Sequence, residues 1–253
     1  MDSQDHAISY LSASMPVSMG DWWFDVARSD HFWITRRFQV LRSLAHSAIE
    51  SAQFAAEIGC GNGLLQKEIE DCYAKPVVGF DLNELALRKN VSRLSPLYCY
   101  DIHQRNPEFQ NRFDLLLLCD VLEHITNESE FLQSVKFHLA RSGALVVNVP
   151  ALQGLFSDYD RAAGHVRRYS LEQLVKVAKE NGFRVRKATY WGFPLLPLLL
   201  LRKRMKLNRE NGGAGFDSQV PGMNFLLSLV ARCEPIPQRL VGTSVMAVLE
   251  NDL

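Results

Sequence analysis

"AQFAAEIGCGNGLLQKEIEDCY", Ala52 to Tyr73, is the stretch on which the fold turns. An apolar run ends at Ile58, glycines follow at Gly59, Gly61 and Gly63, and helical spacing starts at Leu64. Strand, glycine turn and helix make the first βα unit of an open α/β sheet, and the turn after such a strand is where these sheets bind ligands. Glycine there allows unusual backbone angles and lets a ligand touch the main chain.

Outward from this unit the alternation continues. "PVVGFDL" (Pro76–Leu82) reads as a second buried strand, and "NELALRKNVSRL" (Asn83–Leu94) as a helix. "LYCYD" (Leu97–Asp101) is a third strand. "FDLLLLCD" (Phe113–Asp120) is apolar on both faces, as an interior parallel strand must be. Asn127 followed by Glu130 has the spacing of a helix cap. "GALVVNVP" (Gly143–Pro150) is the fifth strand, Ser170 with Gln173 caps a helix that stops at Gly182, and "FRVRKATYWG" and "TSVMAVLEN" supply two late strands. Repeated βα units imply a mostly parallel sheet covered by helices.

The chain has 253 residues, enough for a sizeable core. Its 28 basic and 28 acidic residues cancel, so the electrostatic footprint of general nucleic-acid binding is absent. The five cysteines are scattered with no CxxC pair, which fits buried thiols in a reducing compartment. "MDSQDHAISY" lacks a basic region followed by an apolar one, so the expected location is cytoplasmic.

Two ligands compete for the glycine turn. A dinucleotide wants G-x-G-x-x-G/A, but the position that should be small is Leu64, and Glu57 would repel a pyrophosphate. A nicotinamide-dependent oxidoreductase is therefore disfavoured. A ligand carrying an amine and a sulfonium suits the carboxylate better.

Residues 52–150 resemble the nucleotide-binding core of class I S-adenosylmethionine-dependent methyltransferases. Glu57, Gly59, Gly61 and Gly63 match the E-x-G-x-G-x-G signature, Asp81 the acid ending the second strand, and Asp101–Ile102 the acid–apolar pair after the third. The resemblance implies that Glu57 and the turn (Gly59, Cys60, Gly61, Asn62, Gly63) hold the methionine part. Asp81 with Leu82 would take the ribose, Asp101 with Ile102 the adenine edge, and Asp120 would also face the cofactor. A carboxylate can accept from two vicinal hydroxyls at once. The alternative is a tight turn with acids that only cap helices.

The fold expected is one α/β domain over 1–253, a Rossmann-like sheet of seven strands, mostly parallel, with helices on both faces and an antiparallel last strand. Residues 1–51 would form a helical lid, 52–191 and 242–253 the core sheet, and 192–241 a helical cap.

Methyl transfer needs a positioned nucleophile and assistance with proton loss. Asp120, Glu123 and His124 are spaced i, i+3, i+4 and would share a helix face; "DYDRAAGHVRRYS" (Asp158–Ser170) adds His165. This set resembles ubiquinone-biosynthesis O-methyltransferases and small-RNA 2′-O-methyltransferases. In the latter, matching residues hold a divalent cation, so the resemblance implies Asp120, Glu123, His124 and His165 as ligands for Mg²⁺ or another divalent ion. Without a metal, His124 or His165 is the candidate base. "VPA…D…GH.RRYS" further resembles methyltransferases of bacterial surface-glycan gene clusters. The acceptor expected is a sugar or phenolic hydroxyl, small or lipid-linked, with no general nucleic-acid binding.

The ends bear on the acceptor. Trp22, Trp23, Phe24, Phe32 and Trp33 cluster ahead of an amphipathic helix, either as part of the lid or as packing on the sheet edge. Phe193 to Leu201 is apolar but too short to span a bilayer, and Arg202, Lys203, Arg204, Lys206 and Arg209 follow. Residues 193–209 thus read as a peripheral membrane contact, an acceptor pocket wall or an ordinary buried helix. A non-catalytic, membrane-docked cofactor binder is the competing function; the sequence leaves the oligomeric state open.

Overall fold

A computed structural model of the chain describes residues 7–16, 29–204 and 222–252. Within it, eight strands form one sheet: β1 (Ile8–Tyr10), β2 (Ala55–Ile58), β3 (Val77–Asp81), β4 (Leu97–Cys99), β5 (Phe113–Cys119), β6 (Leu139–Pro150), β7 (Phe183–Trp191) and β8 (Ser244–Asn251). Their order is β1-β4-β3-β2-β5-β6-β8-β7. All pairings up to β6 are parallel, and β8 runs antiparallel to both β6 and β7. The chain steps outward in one direction after β2 and in the other after β5, so the crevice opens at the ends of those two strands.

Helices cover both faces. α1 (Phe32–Ser51) and α2 (Leu64–Tyr73) lie on one face, where Val40, Leu41, Leu44, Leu65 and Ile69 meet Leu115 and Leu117. α4 (Glu128–His138) and α6 (Leu171–Glu180) lie on the other, burying Phe131, Val135 and Leu174 against Leu116, Leu118 and Val147. Leu115 to Leu118 are fully buried because β5 sits between the two layers. Each such leucine contributes about 1.5–3 kcal/mol relative to exposure. Ser170 and Gln173 form the expected reciprocal cap of α6, and Asn127 accepts from the Glu130 amide at the start of α4.

Three expectations change. The sheet has eight strands rather than seven, because part of the segment assigned to a helical lid is an edge strand, β1, paired with β4. Three residues carry too little periodicity to announce a strand; pairing makes it. The helix expected over Asn83–Leu94 is only α3 (Glu84–Arg88). Beyond it the amides of Arg93 and Leu94 donate to the buried Glu70 carboxylate instead of to helix carbonyls. Asn90 turns inward to Gln66. Finally, Phe32 is core and Trp33 stacks on Trp191 with ring centroids 4.4 Å apart, while Trp22, Trp23 and Phe24 lie outside the described residues.

Between β6 and α6 lies the short helix α5 (Asp158–Ala162). The insertion before β8 holds α7 (Leu196–Arg204) and α8 (Met223–Arg232). It is pinned by Glu234, which accepts from the amides of Gly192 (2.8 Å) and Phe193 (2.9 Å) and pairs with buried Arg36.

Candidate active site

The glycine turn follows β2 and enters α2 through Gly63, whose φ is +74°. A Cβ there would lie 2.2 Å from the Asn90 side chain, and one at Gly59 (φ +72°) would lie 2.4 Å from Val121. Both glycines are required by backbone angle and close approach together. Cys60 turns its thiol into the sheet beside Gly79 and packs with Leu87 and Leu97. Only its main chain faces the turn. Asn62 is buried, its carbonyl accepting from Val91.

Glu57 lies in the middle of β2, paired with Gly79 and Leu117, and is buried. Its Oε2 has no hydrogen-bond partner. Burial pushes its carboxyl up to about 8, with Arg37 opposing the shift and Asp81 adding to it. A buried carboxylate without a partner is costly, so this site favours a cation.

Asp81 ends β3. Its Oδ2 accepts from the Gly61 amide at 2.7 Å and its Oδ1 from Asn83 at 2.8 Å, so it ties the glycine turn to the next strand. Burial raises its pKa against those two amides. An ionised carboxyl has about four acceptor sites, which leaves capacity for hydroxyls. Leu82 follows, its carbonyl accepting from Met15. Asp101 caps the turn Ile102–Gln104 through the His103 amide, and Ile102 is buried. Asp81 and Asp101 therefore do cap turns, and both stand at strand ends along the crevice.

Asp120 does not join the metal candidates. The residues after β5 do not form a regular helix: Asp120 has φ +59° and only Leu122–His124 make a 3₁₀ turn, so the i, i+3, i+4 face never forms. Arg37 donates to Asp120 Oδ2 at 2.8 Å, and Asn148 Nδ2 to Oδ1 at 2.7 Å. Trp191 Nε1 donates to Asn148 in turn. This chain of contacts locks α1 onto the sheet at the crevice. The Asp120 charge holds the buried Arg37 guanidinium above its ordinary pKa against the burial that would lower it.

Past β6, α5 carries Asp160. Burial would raise this carboxyl, but His165 and Arg168 push it down to about 2. Asp160 Oδ1 lies 2.9 Å from His165 Nδ1 and 2.8 Å from Arg168 Nε, and the Ser157 amide holds Oδ2. An ionised carboxylate can only accept, so Nδ1 of His165 carries the hydrogen and Nε2 presents its lone pair. That nitrogen lies 3.9 Å from Glu123 Oε1. Glu123 is buried with neither carboxylate oxygen hydrogen-bonded, and burial, helped by Asp120, raises its pKa well above the usual range. His124 packs edge-on to His165 at 4.7 Å; burial and then the His165 charge lower it to about 4. Of the two histidines, His165 has the geometry of a base, because Asp160 can stabilise the imidazolium that forms. Ligand atoms of Glu123, His124 and His165 lie within 4.8 Å of one another.

Asp160, Arg37 and Asn148 are not singled out by the sequence pattern, and Arg168, which the sequence alone would pair with a surface acid, meets the buried Asp160 instead. Asp160 lies five residues from His165, a spacing that could have been noticed. Arg37 meets Asp120 across 83 positions, and nothing local signals that. Among the described residues, no helix is long and apolar enough to cross a membrane.

Comparison with known proteins agrees with this architecture. The family model described as a methyltransferase domain matches residues 55–188. A tRNA (carboxymethyluridine(34)-5-O)-methyltransferase of Schizosaccharomyces pombe is 38% identical over 81 residues, 32% of this chain and 33% of that protein. Haemonchus contortus phosphoethanolamine N-methyltransferase 2, solved with S-adenosyl-L-methionine, superposes with a TM-score of 0.58 at 17% identity, over 88% of this chain and 56% of its own. The chain thus spans about a third and about half of these two relatives. An Archaeoglobus fulgidus SAM-dependent methyltransferase gives 0.56 at 15% identity (85% and 94% covered), and the [4+2]-cyclase SpnF gives 0.60 at 13% (95% and 99% covered). The structural likenesses speak for the fold, which hosts more than one chemistry. The family model covers more than half of the residues and includes the glycine turn, both strand-end acids and His165: the chain belongs to the methyltransferase domain family.

Proposed function

We propose that the chain is an S-adenosylmethionine-dependent O-methyltransferase acting on a sugar or phenolic hydroxyl, on a small or lipid-linked acceptor. The observation that carries this reading is the Asp160–His165 pair, with Nδ1 fixed as donor and Nε2 left as acceptor. The cofactor fits the crevice residues: Glu57, buried and unpartnered, suits its ammonium group, and Asp81 its ribose. When bound, S-adenosylmethionine supplies the electrophilic methyl group. His165 Nε2 takes the proton of the acceptor hydroxyl, and Asp160 holds the ring and stabilises its charge. Burial, helped by Asp120, biases Glu123 toward its neutral form, which lessens repulsion of the oxyanion that develops.

Zero net charge favours such an acceptor over RNA, whose phosphates call for a basic surface. The S. pombe relative's name and the Haemonchus protein's name supply the competing acceptors, a modified uridine and an amine. A mass-shift screen with labelled cofactor against glycans, lipid-linked sugars, phenols, amines and tRNA tests the reading. Methylation of amines or tRNA alone overturns it.

A second reading rests on the grouping of Glu123, His124 and His165. One carboxylate and two imidazoles suit Mn²⁺, Fe²⁺ or Zn²⁺ better than Mg²⁺, and a bound ion would acidify a coordinated hydroxyl. Chelator would then abolish turnover, with restoration by the ion; full activity in chelator leaves His165 as a plain base. Residues 193–209 are proposed to touch an anionic membrane surface peripherally, as their apolar run and five basic residues suggest. Co-sedimentation with anionic vesicles that fades with salt supports this, and a protein that stays in the supernatant at low salt refutes it.

A further inference from the structure

Gln66, Glu70, Asn90 and Ser95 are buried polar side chains that the chemistry above does not use. They gather where the chain leaves α3 and runs along α2 toward β4. Glu70 is the point on which they converge. Its Oε2 accepts from the Arg93 amide at 2.7 Å, and its Oε1 from the Leu94 amide at 3.1 Å and from the Ser95 hydroxyl. Ser95 Oγ in turn accepts from the Val77 amide at 2.9 Å, at the start of the strand that ends in Asp81. Gln66 Nε2 donates to the Val77 carbonyl. One carboxylate thus ties α2 to the segment 90–95 and, through Ser95, to β3.

The segment reaches the glycine turn at two points. The Val91 amide donates to the Asn62 carbonyl at 2.9 Å, and the Asn90 side chain fills the space beside Gly63, where a Cβ would lie 2.2 Å from Oδ1. Asn90 is itself held: its Nδ2 donates to Gln66 Oε1 at 2.8 Å and its Oδ1 accepts from the Ser92 amide at 2.8 Å. Asp81 holds the neighbouring Gly61 amide. Gly59, Gly61 and Gly63 all have positive φ, so the turn keeps a backbone shape that it would not hold without such supports. We propose that Glu70 is a positioning residue for the cofactor, acting through Val91 and Asn90 on the backbone of Asn62 and Gly63. The proposal rests on the S-adenosylmethionine reading for the ligand, and on the hydrogen bonds alone for the coupling. Glu70→Gln replaces one acceptor oxygen by an amide N–H₂, so at least one of the three donors loses its buried partner and the segment loosens.

Calorimetry with S-adenosylmethionine on the folded Glu70→Gln variant tests it. Affinity should fall about tenfold, within the usual range for coupling between two sites. Leu249→Ala, which opens a core cavity toward the end of β8 far from the crevice, should lower stability and leave affinity unchanged. Unchanged affinity in Glu70→Gln overturns the proposal. An equal loss in Leu249→Ala also overturns it, since the effect would then be one of general stability. Amide exchange of the wild-type protein decides the matter if Glu70→Gln does not fold. Coupling is reciprocal, so the cofactor should slow exchange at Val91, Arg93 and Leu94 more than at the amides of α6; uniform slowing overturns the proposal. A wild-type chain that binds no S-adenosylmethionine removes the cofactor reading and the proposal with it. A wild-type chain that binds, beside a Glu70→Gln variant that binds equally well, removes the proposal alone.

Discussion

The crevice at β2, β3 and β5 and the insertion between β7 and β8 are built on opposite rules. In the first, polar groups are buried and held: Asp81 is tied to Gly61 and Asn83, Asp120 to Arg37 and Asn148. In the second, large apolar side chains face outward: Phe193, Leu200 and Leu201, and, on α8, Phe225, Leu226 and Leu229. A cofactor site of fixed chemistry is preorganised by rigid strands and turns. Large apolar side chains left exposed together make a surface on which further burial would be favourable.

The contrast is tested first at the base. His165→Ala should lower kcat by about a hundred- to ten-thousandfold with cofactor affinity unchanged; loss of cofactor binding with intact kcat would place His165 on the wrong side of the divide. Next comes its support. Asp160→Asn leaves Arg168 buried without its ion-pair partner and should cost about 3–5 kcal/mol in urea unfolding. A loss below about 0.5 kcal/mol would show that the network orients His165 without stabilising the fold. Asp81→Ala should weaken S-adenosylmethionine about ten- to hundredfold by calorimetry, the range for hydrogen bonds to a charged group. Unchanged affinity of the folded variant would break the assignment of the crevice.

Glu57 gives a pH signature. Folded Glu57 keeps its proton up to about 8, whereas an unfolded glutamate releases it near 4.5. The folded state therefore binds more protons across that window, and the unliganded protein loses stability as pH rises through it. Glu68, raised by burial to about 8, acts in the same direction. An ammonium group beside Glu57 favours the carboxylate, so cofactor binding at neutral pH should release a proton and tighten as pH rises toward 8. Calorimetry in buffers of different ionisation enthalpy reads the proton, and Glu57→Gln should abolish it. The smallest effect belongs to the insertion: Phe225→Ser on exposed α8 should shift stability by no more than about 0.5 kcal/mol. A loss of several kcal/mol would make α8 part of the core and close the contrast.

The βα alternation was legible because its signals are local. Residues 113–120 are apolar on both faces only if covered on both, and Ser170–Gln173 specifies its own cap. The short helix α3 shows the limit. Its sequence continues with helical spacing to Leu94, but Glu70, more than twenty positions earlier, takes the amides that would have extended it. The same holds for Asp120, whose spacing to Glu123 and His124 promised a shared face that an irregular backbone denies.

By itself, the sequence determined the α/β class, the glycine turn with its acids at Glu57, Asp81 and Asp101, and the two histidines, since each depends on neighbours within a few positions. Only the tertiary structure decided that β1 completes the sheet edge, that Arg37 ties up Asp120 away from the Glu123–His124–His165 group, and that Asp160 meets His165 rather than His124. The physical reason is that a hydrogen bond or ion pair is set by where the folded backbone brings its partners. For Arg37 and Asp120, 83 residues apart, no local pattern encodes that meeting.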